Sequence, residues 1–317
     1  MRLRTTGLLA PLALFAAACG SESGTTEPDL ARTAAAPEVI NPYLAEANQK
    51  LAAQGVNYRV DRAEYVVSGT GAEAAGRTVF ADNRTLRLTS RWVPGDERRV
   101  NPGPGLTYAH FQGFMESASG FDATPAIDAS FDTWEALSCS TLELTKEILP
   151  GNVFPSGILS LGPSFLNNPQ LVDINTVGFL PGAIFDLVLG AGASDNVLGV
   201  TFTFVWGTNT PDGFVPSDVD GNGRDDTAFK EVWYNDDFAW TLNGSVNPYD
   251  VETVALHENG HALEIGHFGS IFRTEANGKL HVSPRAVMNA AIVGRLRTPL
   301  GTDQASYCGN FAAWPNN

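Results

Sequence analysis

Apolar and polar positions alternate at Val56, Tyr58 and Val60 and again at Tyr65 and Val67, which predicts a strand. Just before it, Leu44 and Leu51 stand seven residues apart within 41–54 and mark one face of a helix. Leu86 and Leu88 alternate toward Trp92, and 106–111 is a further short strand. Ile127, Phe131 and Trp134 follow at helical spacing, with Thr124 as the expected N-cap and Pro125 suited to the first helical position. Strands are expected at 142–148, at 229–234 and across Val197–Trp206, a β-branched and aromatic run that reads as buried. Asn247-Pro248 is expected to open a helix carrying Val251, Val254, Ala255, Leu256 and Leu263. Strands, a helix, more strands and then helices, with no internal repeat, predict an α+β fold. The Gly/Ala-rich stretch 69–76 suggests a boundary. Residues 41–76 would be a small N-terminal subdomain or a prosegment, and 77–317 the main domain.

Composition narrows the class. The 317-residue chain carries 20 Lys plus Arg against 35 Asp plus Glu, a net charge of −15. With no basic patch to neutralise phosphates, nucleic acid is excluded as a partner. Residues 1–18 read as a signal peptide: Arg2 and Arg4 precede the short apolar stretch Gly7–Ala18. That segment ends at Ala16-Ala17-Ala18-Cys19, which resembles a bacterial lipoprotein signal and implies lipidation of Cys19. Gly20 after it implies an outer-membrane destination; an ordinary signal peptide and an extracellular protein is the other reading. Residues 19–40, rich in Ser, Thr, Glu, Ala and Pro, read as a flexible tether. No later apolar run suits a membrane span, so contact with a membrane is expected only through the lipid. If Cys19 is acylated, Cys139 and Cys308 remain as an even pair in an oxidising compartment. They read as a disulfide or as two buried thiols, since spacing alone does not decide.

The sharpest chemical signal is His257-Glu258-Asn259-Gly260-His261-Ala262-Leu263-Glu264-Ile265-Gly266-His267. On a helix, His257 and His261 lie about 40° apart, so both imidazoles can face one metal ion, with Glu258 able to reach a water on that metal. His267 joins them only if the chain leaves the helix, because a continuous helix would carry it roughly 15 Å along the axis. The turn falls to Glu264, in a left-handed conformation, or to Gly266.

This pattern, with Met288 in Ser283–Asn289 downstream, resembles the metzincins and among them the matrixin-like zinc endopeptidases. Glu231–Trp240 is similar to the strand before their active-site helix, and 124–138 to their first helix. The resemblance implies a twisted mixed β-sheet over an active-site helix and a methionine turn at Met288. It also implies a substrate cleft between the sheet edge and 283–293, where an extended peptide could add a strand. His257, His261 and His267 would bind Zn2+, a water would fill an open fourth position, and Glu258 would act as general base in peptide-bond hydrolysis. The sequence departs from the family where Glu264 replaces a glycine. Alternatives are a gluzincin-like metallohydrolase with Glu275 as third ligand, and a catalytically inactive zinc- and calcium-bearing binding module. The expected partner is a protein or peptide substrate, and the expected state a monomer.

Asp218, Asp220, Asn222, the Arg224 carbonyl and Asp226 match positions 1, 3, 5, 7 and 9 of an EF-hand-type loop, with Gly223 at 6 and Phe229 in place of the usual Glu at 12. A structural Ca2+ ion is expected there, or else a solvated acidic turn. His110 and His281 read as surface or satisfied core residues rather than ligands.

Overall fold

The computed structural model describes residues 41–69, 76, 78–80, 90–150, 156–159 and 171–316. The expected signal peptide, Cys19, the tether and the 86–88 alternation lie outside them. The helices are α1 (Pro42–Ala53), α2 (Thr124–Glu135), α3 (Gly182–Leu189), α4 (Ala193–Asn196), α5 (Val251–Ala262) and α6 (Gly301–Phe311). The strands run β1 (Tyr58–Ser68), β2 (Thr78–Phe80), β3 (Ser90–Arg91), β4 (Leu106–His110), β5 (Leu144–Lys146), β6 (Ile174–Leu180) and β7 (Val197–Thr210). They continue with β8 (Gly213–Pro216), β9 (Asp225–Asn235), β10 (Trp240–Thr241), β11 (Tyr249–Asp250), β12 (Ser270–Arg273), β13 (Leu280–Ser283) and β14 (Ala291–Ile292).

One mixed sheet organises the fold, in the order β14-β1-β7-β9-β6-β4-β5. Strands β5, β4, β6 and β9 are parallel, and β7 runs antiparallel to both β9 and β1. Side chains alternate across the sheet and feed two buried layers. On one face Leu44, Leu51, Phe185 and Val188 of α1 and α3 pack with Ala63, Val67, Phe202 and Phe204. On the other, Ile127, Phe131, Trp134, Leu256 and Tyr307 of α2, α5 and α6 pack with Val66, Val232 and Tyr234. The fold is α+β, as the element order implied.

Helix starts differ from expectation in two places. Thr124 is the first residue of α2 rather than its cap; its N–H donates to Asp122 Oδ1 at 2.9 Å. Helix α5 begins at Val251, after Asn247-Pro248, because Asp250 accepts the Thr253 N–H at 2.9 Å and caps it. All of α5 except Glu252 is buried, since it lies between the sheet and α2. Trp134 Nε1 donates to the Leu256 carbonyl at 2.9 Å, and Asn259 Nδ2 to Ser130 Oγ at 2.6 Å, fixing the two helices together.

Residues 41–69 are not a separate subdomain. They belong to one compact unit, Glu38–Asn317, and β1 is an interior strand. Its residues pair with β7 from Tyr58↔Trp206 to Val67↔Val197, while its other edge carries β2 and β14. The register shifts between Val60 and Arg62. That bulge at Asp61 reverses the alternation, so Tyr58 and Val60 share a face with Ala63 and Val67, leaving Arg62, Glu64 and Val66 toward α5. The expected cleft between the sheet edge and 283–293 therefore holds β1.

Cys139 and Cys308 form a disulfide with Cα atoms 5.7 Å apart, joining the turn after α2 to α6. Among the described residues, no helix is long and apolar enough to cross a membrane.

Candidate metal centre

Helix α5 places His257 and His261 on one face, and the chain then turns sharply. The turn is made by Glu264, whose φ is +61°. Ile265 N–H donates to the Gly260 carbonyl at 2.9 Å and Glu264 N–H to the His261 carbonyl at 3.0 Å, the paired bonds of a Schellman ending with Glu264 at its left-handed position. Beyond it, His267 swings back to the helix. Its Nε2 lies 3.2 Å from His257 Nε2 and 3.1 Å from His261 Nε2.

The outer nitrogens fix the tautomers. His257 Nδ1 donates to the Val287 carbonyl and His261 Nδ1 to the Ile265 carbonyl, each at 2.7 Å. A carbonyl can only accept, so both Nδ1 atoms carry the proton and both Nε2 atoms present lone pairs. Burial holds His257 down to about 4; burial, with neighbouring imidazoles adding to it, pushes His261 and His267 well below the ordinary histidine value. Two neutral imidazoles thus aim Nε2 lone pairs at the point where His267 Nε2 meets them, a donor set that could hold a metal ion. The separations of 3.1–3.2 Å compare with about 3.3 Å between nitrogens bound tetrahedrally to zinc.

Glu258 lies beside this cluster and is fully buried. Its Oε2 accepts from Thr201 Oγ1 at 2.8 Å, whereas Oε1 has no protein hydrogen-bond partner. Burial raises its pKa well above the ordinary carboxylate value, against the opposing effects of Thr201 and the Val66 amide. Strand β7 passes over it at Gly199, where a Cβ would meet Glu258 Cγ at 2.8 Å.

Met288 is fully buried below α5. A Cβ at Gly260 would lie 2.3 Å from Met288 Sδ, so glycine at this point allows the methionine to sit against the helix. Its segment is anchored by Asp303 of α6, which accepts the N–H of Val287 at 2.8 Å and of Met288 at 3.1 Å. Asn289 Nδ2 donates to the Phe268 carbonyl at 2.8 Å and ties the turn to the His267 segment.

Glu264, the departure from glycine, ends inside the protein. Its Oε2 accepts from Arg62 Nη2 and Ser90 Oγ, each at 3.0 Å, and its Oε1 lies 3.0 Å from Lys230 Nζ and accepts from Thr227. Burial opposes its charge, yet Lys230 and Arg62 hold the carboxyl down at about 2. Arg62 also binds Asp61 and Glu64, at 2.9 and 3.0 Å, and Glu64 Oε1 lies 3.5 Å from His261 Nδ1. Arg62, Lys230 and Asp303 are the residues that sequence reasoning missed. The charged cluster Asp61-Arg62-Ala63-Glu64 within an otherwise apolar strand was the available signal.

Glu275 is exposed in the turn between β12 and β13, apart from the cluster; the structure brings in His267 instead, against the gluzincin-like alternative. His110 is a buried core residue bonded to Asp128 at 2.8 Å, and His281 stacks on Phe272. In the acidic loop, carboxylate oxygens of Asp218, Asp220 and Asp226 lie within 4.8 Å of one another. Asn222 Oδ1 accepts the Arg224 N–H at 2.8 Å, and Asp226 is already paired with Arg98 at 2.7 Å. No protein-family model and no curated protein matches the chain.

Proposed function

We propose that this chain is a zinc-dependent endopeptidase of the metzincin type, matrixin-like in its active-site helix, left-handed exit and methionine turn. One observation carries the reading: three neutral imidazole Nε2 atoms converge beside a buried carboxylate whose Oε1 has no protein partner. His257, His261 and His267 would hold the zinc, which when bound supplies Lewis acidity toward a water and a scissile carbonyl. Glu258 receives the water's proton at Oε1 and delivers it to the departing amine, while Thr201 holds Oε2 in place. Burial raises the basicity of Glu258 for this task. Met288 and Asp303 position the floor of the site. Export is part of the same proposal, supported by the signal-like residues 1–19 and by the Cys139–Cys308 disulfide. A structural calcium ion in the 218–226 loop completes it.

The test introduces Glu258→Gln into a zinc-loaded form of the protein that cuts a quenched-fluorescence peptide library. The variant should bind one zinc per chain and lose turnover by at least about 100-fold. Unchanged turnover would refute the role of Glu258. For calcium, saturation at about 100 times the dissociation constant should stabilise the protein by about 2.7 kcal/mol in thermal melts, and Asp220→Asn should abolish the gain. A melting temperature indifferent to calcium removes that ion from the proposal. The complete burial of His257, His261 and Glu258 favours a second reading, a zinc-bearing module without turnover in any state.

A further inference from the structure

Strand β1 lies where a peptide would have to enter. It is hydrogen-bonded along β7 on one side, and on the other it runs parallel to β14, with Val67↔Ala291 and Ser68↔Ile292 in register. Val66 pairs with Gly199, the residue of β7 that lies against Glu258, and the Val66 side chain belongs to the buried apolar layer of Leu256, Val287, Met288 and Ile292. Val67 N–H reaches the Ala290 carbonyl at 3.4 Å, two residues beyond Met288. Thus a single extended segment is held by β7 on one side and by the segment after the methionine turn on the other, and passes opposite the residue that lies against Glu258. These are the contacts a bound peptide would make. His257, His261 and Glu258 have no solvent exposure in this arrangement.

The segment is also clamped. Arg62 of β1 binds Glu264, and Glu264 makes the turn that brings His267 to the cluster. The residue that departs from the family pattern is therefore the residue that grips β1.

We propose that β1 is an internal peptide ligand of the histidine site. The folded chain is latent, and another extended peptide enters the slot only when β1 has left it. This inference rests on the endopeptidase reading for the identity of the site, but it concerns occupancy rather than chemistry.

Three zinc-loaded full-length proteins test it: the unaltered chain, Val66→Pro, which disrupts the strand pairing opposite Gly199, and Glu264→Gly, which removes the clamp while leaving β1 intact. Zinc stoichiometry and circular dichroism establish folding, and Glu264→Gly serves if Val66→Pro does not fold. Hydrogen exchange reports protection of 58–68, and fluorescence anisotropy reports binding of a labelled synthetic peptide with the sequence Val60–Ser68. In the unaltered chain 58–68 should be protected and the peptide should not bind. In a variant whose 58–68 segment exchanges freely, the peptide should bind about 100-fold more tightly, the gain expected when an open form of about one per cent becomes dominant. Equal binding by the unaltered chain, or no binding by a folded variant with 58–68 released, overturns the inference. If a released variant binds the peptide but cuts nothing in the library, the latent slot stands and the endopeptidase reading falls. If the unaltered chain cuts peptides while 58–68 stays protected, the endopeptidase reading stands and the latent slot falls.

Discussion

Replacing Glu264 by glycine sets two effects of known sign against each other. Glycine is free at φ +61°, so relief of the left-handed backbone should stabilise the protein by about 1 kcal/mol. Against this, the substitution deletes a fully buried carboxylate paired at 3.0 Å with both Arg62 and Lys230. Removing one partner of such a pair leaves charge uncompensated in the interior and costs about 3–5 kcal/mol. The pairing wins, and Glu264→Gly should lose about 2–4 kcal/mol in urea unfolding of the zinc-loaded protein at neutral pH. The pH dependence follows from the depressed carboxyl. The folded value of about 2 lies below the ordinary 4.5, so the unfolded chain binds the proton more readily. The advantage over Glu264→Gly is fully present above pH 4.5 and is lost as pH falls toward 2. Lys230→Met should cost less in the Glu264→Gly background than alone, with a coupling above about 1 kcal/mol. A Glu264→Gly protein as stable as the unaltered one at pH 7 would refute the reasoning, because backbone strain would then outweigh the ion network.

Two further outcomes can be checked. Gly260→Ala places a methyl 2.3 Å from Met288 Sδ and 3.1 Å from Trp134 Cζ2; it should destabilise by about 1–3 kcal/mol and weaken zinc retention against a chromophoric chelator. Glu231 is buried, accepts from Ser156 Oγ at 2.9 Å, and is pushed up by burial to about 7 from 4.5. Its folded value lies above its unfolded one, so its contribution is present below pH 4.5 and is lost as pH rises toward 7. The stability of the unaltered protein relative to Glu231→Gln should therefore fall by roughly 3 kcal/mol across that window, and a flat difference counts against the burial argument.

The site was more legible in the sequence than the frame around it. His257 and His261 follow from helical periodicity alone, and the place of His267 depended on a turn the sequence had narrowed to Glu264 or Gly266. The structure selects Glu264, because residues far away in the chain, Arg62 and Lys230, compensate its charge. Nothing local to 257–267 carries that information. Likewise Tyr58 and Val60 lie at even positions while Tyr65 and Val67 lie at odd ones, and only pairing with β7 reveals the bulge at Asp61 that brings them to one face. The Gly/Ala-rich 69–76 suggested a boundary, yet β1 is joined to the main sheet by non-local pairing with β7 and β14. The alternation of a strand says which faces it has, but not which neighbours it will find.

The disulfide has a topological consequence. It closes a covalent ring between Cys139 and Cys308, spanning 169 positions, that contains the three clustered histidines, Glu258 and Met288. Strand β1 lies outside that ring and is retained by pairing, packing and the Arg62–Glu264 ion pair. Severing the backbone between β1 and β2 would thus yield an unbroken ring bearing the whole histidine site, and a separate strand free to exchange. The arrangement suits fragment complementation, in which the ring can recapture its own strand or accept one from another copy of the chain.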